Sequence, residues 1–435
     1  MKKTTLFIAT LLASGTISAQ TITWLPSDET HDYQGIALSA NGRYIAGLSK
    51  ATSGGFVWDT NSATEYLTGE DNGTIMMGVA NNGDAVGYDT SDTPTLFSMA
   101  ANSTSAIESI QAISYSLSSD GKVIVGYMTG SDGNRHACIW KGGVRTMLPE
   151  PTPDEAFLDA IAGTDAKWAS ADGSVILGTV YESQSWGKWP LASIWKLQDD
   201  GTYKFVPIYK DFYDVSGNRT KPFYSFTASG ISDNGKWVSL TTKSYGEYQG
   251  EAALLSDRMA RMNLDKMTVS ECVPGNGLTD QGFITGGISN DGTVVGAISP
   301  NQQRTAVIWD AKDKSASNLA VKYGLFEISD LSSSAAIAIS ADGRYIAGFG
   351  KLSDESEGEE EETYSVSKTF WIDLKGTTDG ISSAALDSKE TTVSVYDMNG
   401  MLVRSGASTA GLKSGAYIIK GNGGNSAVAR KIVVK

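Results

Sequence analysis

Histidine is almost missing from this chain, which has 2 in 435 residues, and cysteine (2) and proline (10) are also scarce. Each scarcity removes a chemistry. A histidine-built zinc site or a Ser-His-Asp triad has only His31 and His136 to draw on. The first lies in a polar segment and reads as a solvated loop; the second reads as a strand edge. Cationic excess is lacking too: 35 Lys and Arg face 49 Asp and Glu, a formal net charge of −14. A phosphate backbone needs clustered cations, so nucleic acid is not an expected partner. Beyond the N-terminus no run approaches the roughly 18 apolar residues of a membrane span. No Gly-rich phosphate loop opens a helix, because no long amphipathic helix is encoded. No cofactor or metal is expected.

Glycine, by contrast, is abundant at 48 residues, and much of it belongs to one phrase that returns seven times. The phrase runs Ser-x-Asn/Asp-Gly, a short strand, Gly, a variable loop, and a strand ending in an aromatic residue. One clean copy is Ser39-Ala40-Asn41-Gly42 through Gly47 to Trp58; another is Ser340-Ala341-Asp342-Gly343 through Gly348 to Trp371. The turn glycines are Gly42, Gly83, Gly121, Gly173, Gly235, Gly292 and Gly343. Each follows Asn or Asp, the dipeptide of two-residue type I′ hairpins. Apolar strands such as Gly35-Ile36-Ala37-Leu38 precede the turns, and β-rich strands such as Val123-Ile124-Val125 follow. The closing glycines Gly47, Gly87, Gly126, Gly178, Gly296 and Gly348 let backbones approach closely. Third strands end in Trp58, Trp140, Trp195, Trp309 and Trp371, with Phe97 and Leu255 in the second and fifth copies.

Four antiparallel strands per unit, with turns 38 to 62 residues apart, predict propeller blades. A parallel β-helix would repeat at about half that interval or less. The fold class is therefore all-β, a seven-bladed β-propeller over residues 20–375 followed by a small C-terminal β module. The last repeat has no fourth strand of its own. Ile22-Thr23-Trp24-Leu25-Pro26 resembles the fourth strand Arg145-Thr146-Met147-Leu148-Pro149, so the N-terminal strand is expected to complete the seventh blade and latch the ring. In a ring Cys138 and Cys272 fall on distant sectors, so both are expected to be free thiols.

The phrase resembles the HAF-type extracellular repeat, roughly Gly-Ile-Ser-x-Asp-Gly, Val-Val-Gly, then Ala-Phe-x-Trp. Gly287-Ile288-Ser289-Asn290-Asp291-Gly292 and Ala306-Val307-Ile308-Trp309 carry that likeness. It is also similar to the phrase of periplasmic TolB-type and WD propellers, without their proline. The resemblance implies the fold and leaves activity open, since propellers host many functions.

Lys2 and Lys3, the apolar run Leu6 to Ala13 and small residues up to Ala19 read as a secretory signal over residues 1–19. Residues 376–390, rich in Gly, Ser, Thr and Ala, read as a linker. In 391–435, Val393 to Asp397, the Asn399-Gly400 turn and Met401 to Val403 make a hairpin, followed by Gly411 to Ile419 and Lys431 to Lys435. This tail resembles the C-terminal sorting domain of the type IX secretion system. That resemblance implies a Bacteroidetes-type source, a small β-sandwich read by the secretion machinery, and a secreted or cell-surface location; a tail that does not function would leave the protein periplasmic.

The acidic run from Asp354 to Glu362 lacks the alternating ligands of a calcium loop and reads as a solvated segment. A sialidase box places one residue between Asp and Gly, whereas here the two abut in every copy. No catalytic residue stands out. The expected ligand-binding residues are aromatic: Tyr181, Trp186 and Trp189 in the fourth repeat, Tyr213 in the connection after it, and Tyr245 and Tyr248 in the fifth. They are read as loop residues forming one exposed shelf, facing a glycan or a protein. The acidic surround suggests a neutral or cationic partner. The function expected is a non-catalytic exported binding propeller; a polysaccharide lyase or hydrolase and a structural envelope component are the alternatives.

Overall fold

A computed structural model describes residues 21–375, apart from 27–32, 50–52, 69–72, 157, 159, 185–186, 209–223, 249–250, 274–281, 300–303, 326–327, 329–330 and 353–366, and four strands between 392 and 434. The expected signal (1–19), linker (376–390) and acidic run therefore lie outside the described residues, as does His31. The chain divides into two compact units, Met1–Thr377 and Thr378–Lys435. No helix among the described residues is long and apolar enough to cross a membrane.

The first unit is a seven-bladed β-propeller of four-stranded antiparallel blades. Blade 1 is built from Tyr33–Leu38, Tyr44–Ser49, Gly54–Asp59 and Thr64–Thr68. Blade 2 runs Ile75–Val79, Ala85–Tyr88, Pro94–Ser98 and Ser103–Ala106; blade 3 runs Ala112–Leu117, Val123–Thr129, Arg135–Lys141 and Val144–Met147. Blade 4 comprises Ile161–Ala169, Val175–Gln184, Gly187–Leu197 and Tyr203–Pro207. Blade 5 comprises Tyr224–Ile231, Trp237–Tyr248, Glu251–Asn263 and Thr268–Glu271. Blade 6 is Phe283–Ile288, Val294–Ile298, Thr305–Trp309 and Ser317–Asn318. Blade 7 has only Leu331–Ile339, Tyr345–Leu352 and Ser367–Asp373 of its own, and Thr21–Trp24 pairs antiparallel with the last of these. The N-terminal strand thus latches the ring, as the sequence predicts. Leu25, just after it, is buried among Ile45, Phe56 and Trp58 of blade 1.

Every blade has a register shift between its first two strands, as at Ser114/Ser116 in blade 3 and Ala166/Trp168 in blade 4. This bulge explains the closing glycines. A Cβ on Gly126 would stand 1.9 Å from the Ile113 carbonyl oxygen, and one on Gly178 would stand 1.9 Å from that of Asp165. Blade 5 has Leu240 at the corresponding position, opposite Ala228.

The turns differ from the expected type. The seven turn glycines have φ between 66° and 92°, but no Asn or Asp before them has positive φ, so a two-residue type I′ turn is ruled out. In blade 1 the Gly42 N–H donates to the Ser39 carbonyl (2.8 Å) and the Ser39 N–H to the Tyr44 carbonyl (2.9 Å), closing a longer loop. The phrase serine braces that loop. Ser39 Oγ donates to Asn41 Oδ1 (2.7 Å) and accepts from the Tyr44 N–H (2.9 Å). Blade 2, with Ala80 in place of that serine, and blade 6, with Ser289, both close one residue shorter.

The turns also bond to one another around the ring. The Asn41 N–H donates to Asn81 Oδ1 (2.8 Å), Asn81 to the Ser119 carbonyl (3.0 Å), Asp120 to Ala171 (3.3 Å) and Ala171 to Asp233 (2.7 Å). The Asn234 N–H donates to Asn290 Oδ1 (2.8 Å), Asn290 to Ala341 (2.9 Å), and Ala341 to Ala40 (2.7 Å). All seven turns therefore share one face, and the circle closes.

Third-strand aromatics pack between blades, as expected: Trp140 joins blade 2 residues Ala80 and Val86, and Trp195 joins blade 3 residues Val125 and Ile139. Two positions need correction. Val238 pairs with Met262, as Ile45 does with Trp58, so the fifth aromatic position is Met262 and not Leu255. The error came from a hairpin that lengthens the blade 5 strands. In blade 7 Ile372 holds the equivalent place opposite Ile346. Trp371, one residue earlier, stacks on Tyr345 (5.2 Å) and donates from Nε1 to the Gly42 carbonyl (3.1 Å). Cys138 and Cys272 are both free and buried, and burial pushes the Cys138 thiol up to about 12.

The second unit contains a four-stranded antiparallel sheet in the order Leu402–Gly406, Thr392–Asp397, Gly415–Asn422, Ala429–Val434. The β module is present. Its described strands make one sheet, not the two layers of a sandwich.

Candidate functional site

The bulge that forces glycine onto the second strand also presents a residue of the first strand to the axis of the ring. Three positions before the serine of each phrase stand Ile36, Tyr115, Lys167, Ser229, Gly286 and Ile337, with Met77 at the matching place before Ala80. All except Gly286, whose neighbour Gly287 takes its place, line a central channel enclosing about 430 Å³. That volume is within the usual range for small-ligand sites. The channel wall is uneven. Ile337, Ile36 and Met77 make an apolar arc, whereas Tyr115, Lys167 and Ser229 make a polar one.

Behind the polar arc, blades 3 and 4 hold a charged cluster. Asp165, on the first strand of blade 4, is fully buried. Its Oδ2 accepts a hydrogen bond from the Tyr181 hydroxyl (2.7 Å) and lies 3.6 Å from Lys167 Nζ and 3.8 Å from Arg135 Nη1. Its Oδ1 is buried and has no hydrogen-bond partner among the described residues. Arg135 lies over the Tyr127 ring at 4.5 Å, and Tyr127 packs 5.8 Å from Tyr115. Lys167 lies 6.0 Å from the Tyr115 ring.

The backbone fixes this arrangement. Gly163, with φ +119°, lets the blade 4 strand pass so close to Arg135 that a Cβ there would stand 2.7 Å from the Arg135 carbonyl oxygen. The next residue, Thr164, accepts the Ala137 N–H at Oγ1 (3.0 Å), tying the two blades together. Arg135 and Tyr181 both lie toward the strand ends away from the turns, so the cluster belongs to the opposite face of the disc.

Electrostatically the cluster carries two cations and one carboxylate. Burial, then the charge of Asp165, raises the Tyr115 and Tyr181 phenols well above their ordinary value. Both therefore stay protonated at neutral pH and act as hydrogen-bond donors, not bases. Among the described residues no group of three or more His, Cys, Asp or Glu is placed to hold a metal ion. His136 opens the third strand of blade 3. It is paired with Asp132 (3.0 Å) and Glu150, which is the strand-edge role expected of it.

The aromatic residues singled out in the sequence fall as follows. Tyr181 belongs to this cluster, half-buried on a strand and not on a loop. The segment read as a loop is the end of a long hairpin in which Tyr181 pairs with Pro190 and Glu182 with Trp189. Trp189 is partly buried against the core of blades 4 and 5. Tyr245 and Tyr248 lie on the corresponding hairpin of blade 5, opposite Leu254 and Glu251. Trp186 and Tyr213 lie outside the described residues. The sequence reading missed Tyr115, Tyr127, Arg135, Asp165 and Lys167. A signal was present for Tyr115 and Lys167 in their fixed distance from the phrase serine.

No protein-family model matches the sequence, and no curated protein does. Solved propellers are similar in fold. The β-propeller domain of the trilobed protease from Pyrococcus furiosus is 11% identical, over 81% of this chain and 98% of that one, with a TM-score of 0.49. TolB from Acinetobacter baumannii is 14% identical over 63% of this chain, which spans 61% of TolB, with a TM-score of 0.37. The polysaccharide lyase Uly1 is 8% identical, over 79% of this chain and 87% of that one, with a TM-score of 0.41.

Proposed function

We propose that this protein is an exported, non-catalytic binding propeller that recognises a glycan at the hub of blades 3 and 4. The observation that carries this reading is the cluster itself. Tyrosine rings and hydroxyls, cationic donors and a buried acceptor meet beside an open channel, the mixture of flat apolar faces and directed polar groups that sugar recognition uses. The long hairpins of blades 4 and 5 would flank the site. Export would follow from the N-terminal signal and the sorting-like tail, delivering the propeller to the surface or the medium.

A lyase or hydrolase is the alternative, and the two readings differ in whether the bound glycan is cleaved. The test is a glycan-binding screen of the full chain, run beside the Tyr115→Phe, Tyr181→Phe double variant. Binding by the wild type and at least tenfold weaker binding by the double variant are expected. Glycan chains shortened by the wild type would replace binding with catalysis, and a silent screen would end the glycan reading.

A further inference from the structure

The charge balance of the cluster goes further than sugar recognition. The whole chain carries −14, yet around Asp165 two cations face one carboxylate. Neither cation is consumed by that carboxylate. At 3.8 and 3.6 Å they pair with Oδ2 without a direct hydrogen bond, and the described residues give no other hydrogen bond from either side chain. Arg135 is held by the face of Tyr127, a contact that spends none of its N–H groups. Its side chain is 45% exposed, while Nη1 lies on the Asp165 side. A guanidinium held by its face and partly open to solvent suits capture of a carboxylate by its remaining N–H groups. Asp165 Oδ1, buried and unpartnered, is the complementary feature. It would accept a hydroxyl, which a carboxylate alone does not offer.

We infer that the site selects an acidic sugar, a uronate-type unit whose carboxylate lies on Arg135 and Lys167 while a ring hydroxyl donates to Asp165. This rests on the glycan reading above and departs from the neutral or cationic partner that net charge alone suggests. The long-range field repels polyanions, and the local pair inverts that preference at the hub. The raised phenol of Tyr115 fits the same ligand, since a protonated phenol donates to a carboxylate or ring oxygen, while the Tyr181 hydroxyl stays on Asp165.

The experiment is titration calorimetry on the full chain with three probes: a uronic-acid oligosaccharide, the same oligosaccharide with its carboxyls reduced to alcohols, and a peptide rich in Asp and Glu. The wild type should bind the acidic sugar at least roughly tenfold more tightly than its reduced form, the scale of one charge-assisted contact. Arg135→Ala should erase that preference, weakening binding of the acidic sugar at least roughly tenfold more than binding of the reduced one. Arg135→Lys, which keeps the charge but loses the fork, should retain only part of it. Thermal melting of each variant identifies any that fail to fold, and Lys167→Met then serves as the second probe of the same preference. Equal affinity for acidic and reduced sugars overturns the acidic preference and leaves glycan binding standing. Binding of the peptide but of neither sugar overturns both.

Discussion

At the turn face, six of the seven blades repeat one bond from the phrase serine to its Asn or Asp, and each blade passes a hydrogen bond to the next. Along the channel the same strands differ: the residue at the bulge is Ile, Met, Tyr, Lys, Ser, Gly and Ile in turn around the ring. The first region is under backbone constraint and tolerates little. The second is held by the first, so its side chains are free to differ, and the charged cluster occurs where they depart furthest from the apolar pattern. Repetition builds the ring and departure from repetition marks the site.

That contrast predicts a large stability loss from small changes to the repeated framework. Gly126→Ala puts a Cβ 1.9 Å from a backbone oxygen that cannot swing aside, so blade 3 must open. We expect a loss of about 3 kcal/mol or more in denaturant unfolding, beyond ordinary overpacking. Gly133→Ala is the control. Gly133 has φ +75° but no neighbour within 4 Å, so only backbone strain remains, about 1–2 kcal/mol. Equal losses would show that the bulge clash is relieved by relaxation and that the framework is softer than the contrast requires.

Next in size is the phrase serine. Ser118 Oγ donates to Asp120 (2.6 Å) and accepts from the Val123 N–H (3.0 Å), which is buried. Ser118→Ala removes both bonds and leaves that N–H without the partner. About 1–2 kcal/mol should be lost, without change in ligand affinity. The natural Ala80 of blade 2 shows that the turn forms without the hydroxyl, so the variant should still fold. A fall in affinity would mean that the two regions are not independent.

The same division explains what could be read from the sequence. Blade number, strand order and the N-terminal latch were legible because the glycines and the phrase serine answer to backbone geometry, which leaves a residue-level mark. Turn type was not, because a glycine in the left-handed region closes longer hairpin loops as readily as two-residue ones. The hairpins of blades 4 and 5 were read as loops because Tyr181 to Pro190 has polar, Gly and Pro residues where a buried strand would alternate. The cluster was hidden for a different reason. Asp165 and Lys167 are two apart, but the bulge between Ala166 and Trp168 breaks the alternation that would predict their facing, and Arg135 arrives from another blade.

The smallest effect belongs to His136, at the edge of blade 3 and one residue from Arg135. Asp132, then Glu150, raise its pKa above the ordinary histidine value, against the opposing pull of partial burial. A raised folded-state pKa means that protonated His136 stabilises the fold. Its contribution is fully present below the unfolded value of about 6.5 and is lost as pH rises through the higher folded value. The ion pairs are near the surface, so the gain is about 0.2–1 kcal/mol. Comparing wild type with His136→Gln by thermal melting should show the wild type more stable under mildly acidic conditions and the difference fading at alkaline pH. A difference in melting that grows as pH rises would contradict the assignment of the stabilising charge.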